Sequence, residues 1–378
     1  MPLPSRLTLA ALSVGAVLLL AAARAATPGA DARGLAWGRA TPQSLGAMTF
    51  GPDGTLFIAD SRGAALFAFD PADAGKAAFT ERTLAHGLDR KVAALLGTTS
   101  DRIRFNDMAV HPKSANVYFT VSRIDGETTQ PALIRLTGPE TLDVVDLDRI
   151  QFATTAVPAA PSRDAKTPWG QPQWTLTVTD LNFVDGELLV AGLSNEQFAS
   201  ALRRLPFPFG KPGAVNTVEI YHTSHDKWET AAPIESFLPI TIGGTPMILA
   251  GYGCSPIATF SRADLKSARH LRGKTVAELG GGSRPIDMVR YQRDGKEWIL
   301  IANNSRTLMR LDPAEIAKAP EMTKPVSQAY EPGGVGYLPV ASTGVMQIDD
   351  LNAEYIAVLV RDTDSGAVNL VGYAKKWL

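Results

Sequence analysis

With 37 basic and 38 acidic side chains in 378 residues, the chain has no surplus of positive charge. That excludes the basic surface by which a protein holds nucleic acid or an anionic membrane. Cys254 is the only cysteine, so no intrachain disulfide can form and stability must come from packing.

The chain opens with a targeting pattern. Arg6 gives a positive start, Leu7 to Ala22 is an uncharged apolar run, and Ala23-Arg24-Ala25 offers the small residues a signal peptidase reads. The run is shorter than the roughly 20 apolar residues of a bilayer-crossing helix. Residues 1–26 are therefore expected to be a cleaved signal, and 27–378 an exported domain, periplasmic or secreted. Without Arg6 and Arg24 the mature part is mildly acidic, and it has no second apolar run long enough to span a membrane.

From there one strand pattern recurs six times. Its strongest member is an apolar, β-branched or aromatic run: Leu56-Phe-Ile-Ala-Asp60, Val117-Tyr-Phe-Thr-Val121, Leu188-Leu-Val-Ala-Gly192, Met247-Ile-Leu-Ala-Gly251, Trp298-Ile-Leu-Ile-Ala302 and Ile356-Ala-Val-Leu-Val360. A shorter strand precedes most of these, closed in three copies by Asp-Gly (Asp53-Gly54, Asp185-Gly186, Asp294-Gly295), where Gly accepts the positive φ of a hairpin turn. A third strand follows, such as Ala65 to Asp70 or Thr307 to Asp312. In the fourth copy the inner strand is expected within Ile234 to Ile242 and the outer strand near Leu271 to Leu279. The Pro-rich stretches 157–173 and 205–212 read as insertions.

No helical periodicity separates the strands. Such units cannot bury both faces alone, but stacked radially they shield one another. The expected fold is all-β, a single six-bladed β-propeller of four-stranded blades. Its last copy lacks a fourth strand of its own, and Gly34 to Arg39 is the candidate to supply it and close the ring.

The polar residues at the inner-strand entrances then converge at one end of the central channel. They include Arg104-Phe-Asn106-Asp107, Asp180-Leu-Asn182 and Arg284-Pro-Ile-Asp287. Arg104 to Pro112 resembles the Arg-x-Asn-Asp-Gly-x-x-x-Pro strand of the gluconolactonase-like (senescence-marker, luciferin-regenerating) six-bladed propellers. Asp180-Leu-Asn182 and Pro285-Ile-Asp287 are similar to that family's later metal-binding blades. The resemblance implies a divalent cation, Ca2+ by its oxygen ligands, held by Asn182 and Asp287; by charge, Asp180 or Asp107 would make up the second carboxylate. Arg104 and Asn106 would contact the substrate, and Asp287 with them would carry hydrolysis of a lactone or ester, the metal polarising its carbonyl. Two positions depart from the family: Met108 replaces its Gly, and Ser44 to Met48 lacks its first-blade Glu.

Other readings stay open. The same Asn and Asp side chains are suited to capping turns or to hydrogen bonding between blades. The chain would then be a non-catalytic propeller that binds a small ligand or a protein over the channel-entrance face. A bound quinone cofactor, its carboxylates on Arg62, Arg306 and Arg361, is a third chemistry, without a sequence fingerprint. His222 and His225 stand three apart near a polar edge strand, a spacing that does not define a zinc site, and Cys254 reads as a buried structural residue.

Overall fold

The computed structural model describes residues 29–79, 83–254, 256–328 and 330–378; the proposed signal lies outside them. Strands dominate, with three short α-helices, and no helix among these residues is long and apolar enough to cross a membrane. The strands form five antiparallel-built sheets, one of them ten-stranded. That sheet joins two four-stranded units through the parallel pairing of Ala214–His222 with His270–Glu278.

Each repeated apolar run is the second strand of a unit, and its residues are buried on both faces. Leu56 and Ile58 pack with Tyr118 and Leu133, whereas Phe57 and Ala59, on the other face, pack with Leu188 and Val190. The first unit therefore lies between the second and the third. The same reading places Leu189 and Ala191 against Ile248 and Ala250, Leu249 against Ile299 and Ile301, and Leu300 and Ala302 against Ile356 and Val358. Ala357 and Leu359 close the cycle against Val117, Phe119 and Val121. This is a propeller-like arrangement in which burial between units, not alternation against solvent, explains the uninterrupted hydrophobic runs.

The order around the axis differs from the order along the chain. The inner strand of the second unit, Ile103–Val110, packs beside Met48–Phe50 on one side and Val345–Asp350 on the other, so the second unit sits between the first and the last. Two exchanged strands accompany this. Thr83–Ala85 leaves the first unit to become the outer strand of the last one, pairing with Val368–Ala374. Ile150–Ala156 returns from beyond the second unit to complete the first. The segment expected to close the ring does something else: Ala36–Gly38 pairs with Ile150–Ala156 at the outer edge of the first unit.

Closure thus falls to Thr83–Ala85. Leu84 is buried with Val117, Phe119 and Leu370, and the following helix, Leu88–Leu95, is tied to the last unit. There Gly87 N donates to Asn369 Oδ1 and Val368 N to Asp89 Oδ1. Leu84→Ala is expected to cost about 2–4 kcal/mol by leaving a cavity at this junction. Trp37→Ala, in an exposed edge strand, should cost less than about 1 kcal/mol. Equal denaturation midpoints for the two variants would contradict this assignment of the closing strand.

Candidate functional site at the mouth end

In each antiparallel unit the inner strand begins, the second ends, the third begins and the fourth ends at the same end, here called the mouth. The 157–179 insertion, between Ile150–Ala156 and Asp180–Val184, lies at the mouth, and residues 207–213 lie at the far end. There Phe207 and Phe209 pack against Phe57 of the first unit.

Four inner strands carry an aspartate that reaches into the next unit. Asp107 Oδ2 accepts from Met48 N at 2.6 Å, Asp180 Oδ2 from Phe237 N at 2.7 Å, Asp287 Oδ2 from Ile348 N at 2.7 Å and Asp349 Oδ2 from Val110 N at 2.6 Å. The other oxygen of each accepts the amide of the residue that follows it. Every one of these carboxyls thus holds two backbone N–H groups, one of them across a unit boundary. The repeated Asp-Met or Asp-Leu in Asp107-Met108, Asp180-Leu181 and Asp287-Met288 is the sequence trace of this device; Asp349, followed by Asp350, lacks it.

By exposed surface the four are half-buried, as residues lining an axis would be, yet dense protein around them disfavours their charge. Burial pushes Asp107 up to about 7 against the pull of the Met48 and Met108 amides, and Asp349 adds to the rise. Asp349 is raised to about 7 chiefly by burial. Asp180 and Asp287 are raised well above the carboxylate range by burial, and the charge of Asp107 reinforces both shifts. The four acids therefore share one electrostatic environment and resist ionising together.

The residues singled out from sequence come from three alternate units. Asp180 and Asn182 are in the third, Asp287 in the fifth, Arg104 and Asn106 in the second. Asn182 Nδ2 donates to Phe237 O at 2.9 Å, another link between units. Among the described residues, no group of three Asp, Glu, His or Cys ligand atoms mutually within 4.8 Å includes Asp180 or Asp287. A Ca2+ ion needs six to eight oxygens, and the carboxyl oxygens here already serve amides, so these residues do not fit a closed cation cage.

Arg104 is differently placed. Its guanidinium is exposed, Nε donates to Asn106 Oδ1 at 3.0 Å, and no carboxylate pairs with it among the described residues. Asn106 is in turn fixed by donating to Leu45 O at 2.8 Å and Ser122 Oγ at 2.9 Å. Across the mouth Arg284 stands 3.7 Å from Glu235. Burial raises Glu235 despite the opposing charge of Arg284. Exposed Trp169 and Tyr330 border this end. A cleft of about 460 Å³ opens at the rim of the last unit, lined by Ser342, Thr343, Arg361, Asp362 and Tyr373 among others.

Each arginine considered for a quinone already has a partner of its own. Arg62 lies over the Trp174 ring, Arg306 donates to Tyr330 O at 3.1 Å and Arg361 to Gly366 O at 2.9 Å.

Fold and site together define an all-β, propeller-like protein with a polar mouth. No family model matches the chain, and no curated protein matches it. Solved structures similar to it include a glucose-dehydrogenase-type oxidoreductase of Thermus thermophilus, at 13% identity and TM-score 0.36, over 89% of this chain and 99% of that one. The Bacillus subtilis arabinanase Arb43A aligns at 12% identity and TM-score 0.33, over 69% and 91%. The PQQ-bound aldose sugar dehydrogenase of Streptomyces coelicolor aligns at 9% identity and TM-score 0.30, over 88% and 95%.

Proposed function

We propose that the chain is an exported six-bladed β-propeller that binds a small ligand at its mouth and does not transform it. The observation that carries this reading is the double engagement of Asp180 and Asp287. The carboxyls that a metal-dependent hydrolase would offer to a cation each hold two backbone amides and tie adjacent blades. Counting the ten-stranded sheet as two blades gives the six. Arg104, backed by Asn106 and Ser122, is the cation best presented for an acidic group on the ligand, and exposed aromatics at the same end suit an apolar or sugar-like body.

The competing reading is a lactone or ester hydrolase with a cation on Asn182, Asp287 and Asp180 and with substrate on Arg104 and Asn106. Hydrolysis of gluconolactone and of an aryl ester by the purified mature protein, with Ca2+ and after chelation, separates the two. The expected rate is that of buffer in both conditions. A Ca2+-dependent rate that Asp287→Asn abolishes while His222→Ala leaves it intact would overturn the binding reading and restore the hydrolase.

A further inference from the structure

A second cluster lies at the mouth, where the third unit meets the fourth. Strand Ala214–His222 ends there, the chain turns through Thr223 to Asp226, and Lys227–Glu229 pairs back on it. The turn brings two imidazoles to one carboxylate: His222 Nδ1 bonds Glu229 Oε2, and His225 Nδ1 bonds Glu229 Oε1 at 2.9 Å. Their ring centroids are 3.9 Å apart. From the fourth unit, the loop after Thr245–Tyr252 carries Cys254 to the same place. One ligand atom from each of His222, His225 and Cys254 lies within 4.8 Å of the other two.

This arrangement has the marks of a ligand set. A carboxylate accepts only from a protonated nitrogen, so Glu229 fixes both rings with the proton on Nδ1 and leaves each Nε2 with a free lone pair. A carboxylate behind a histidine is the usual way a protein orients an imidazole toward a metal. His222 is 2% exposed, and its Nε2 has no hydrogen-bond partner. Such a buried acceptor calls for something to fill it. Cys254 is half-buried, not enclosed, and its φ of 62° is a left-handed backbone that usually favours glycine.

A buried carboxyl braces the turn. Glu278 ends the fourth unit's outer strand and is fully buried. Its Oε2 accepts from Thr223 Oγ1 at 2.8 Å and Ser224 Oγ at 3.5 Å, the two residues between the histidines.

We propose that His222, His225 and Cys254 bind one borderline transition-metal cation, Zn2+ or copper, with Glu229 orienting both imidazoles. Two imidazoles and a thiolate suit zinc and copper and do not suit Ca2+ or Mg2+. The ion would bridge two units, joining the outer strand of the third to the second-strand loop of the fourth. It is separate from the Asp180 and Asp287 positions at the axis.

Titration of the chelator-treated mature protein with Zn2+ by calorimetry tests this. One equivalent is expected to bind, weakened at least about 100-fold in Cys254→Ser and in His225→Ala, and about 10–100-fold in Glu229→Gln, whose effect is through orientation. Asp287→Asn should bind as the parent does. Because His225 and Cys254 are not fully buried, the metal-free variants should melt near the parent. Bound Zn2+ should also slow alkylation of Cys254 in the parent but not in His225→Ala, a readout independent of stability. With Cu2+, a thiolate-to-copper charge-transfer band absent from Cys254→Ser would assign copper rather than zinc. No saturable binding of either ion, or binding unchanged by both ligand substitutions, would overturn the proposal.

Discussion

Thermal unfolding of the protein is expected to occur at a higher temperature at pH 5 than at pH 8. Asp107, Asp349 and Glu278 are each held near 7 by burial, whereas in the unfolded chain such groups titrate near 4. Between these values the folded state carries protons that the unfolded state has already lost. Stability therefore falls as pH rises from about 4 to about 7 and levels off above, the reverse of the usual salt-bridged carboxylate. Each such group contributes about 2 kcal/mol to the loss between pH 5 and pH 8, and Asp180 and Asp287 act in the same direction. Asp107→Asn should flatten the profile. It should also lower stability at pH 5, because an amide offers one acceptor where the carboxyl offers two and leaves the amide of Met48 or Met108 unmatched. Melting curves at pH 5, 6, 7 and 8 decide the matter: a melting temperature that holds or rises across this range would refute the protonated cluster.

Replacing Arg203 should be the most damaging single change away from the axis. It lies on Ser200–Pro206 and is fully buried, yet no carboxylate pairs with it among the described residues. Burial brings it down to about 10, so it remains charged at neutral pH. Four backbone carbonyls hold that charge: Nε donates to Pro158 O at 2.7 Å, Nη1 to Thr177 O at 3.3 Å, and Nη2 to Leu193 O at 2.5 Å and Ala159 O at 3.4 Å. Pro158, Ala159 and Thr177 bracket the insertion, so one side chain pins both of its ends to the third unit. Next to it, Gly192 lets the chain pass close by; a Cβ there would come 2.2 Å from Thr177 O.

Arg203→Leu removes the charge but strands these carbonyls, and a loss of about 3–5 kcal/mol is expected. Arg203→Lys should fall short of rescue, since a single ammonium cannot span the planar fork. The denaturant midpoint measures the cost, and limited proteolysis should cut first within residues 160–175. A change within about 0.5 kcal/mol would show that the carbonyls find other partners.

Much of the fold is legible in the chain itself. The first repeated run, Leu56–Asp60, is a strand with those very limits, and the irregular fourth copy has its inner strand at Ile234–Ile242 as expected. These strands are local facts, written in β-branched and aromatic runs between turn residues. At the site, the positions of Arg104, Asp180, Asn182 and Asp287 near the inner-strand entrances follow from the same pattern. Their partners do not, because the amides of Phe237 and Ile348 lie 57 and 61 residues away.

Sequence by itself determined that this protein is built from strand repeats of one kind, without a disulfide and with polar residues at one end. Tertiary structure decided which strand completes which unit. A three-residue edge such as Thr83–Ala85 has no pattern of its own and is chosen by the open ladder and apolar seam it meets. It also decided that Cys254 stands beside His222 and His225, which are about 30 residues away in sequence. Such meetings depend on which units pack together, and packing between units is a property of the whole propeller-like arrangement rather than of any single repeat.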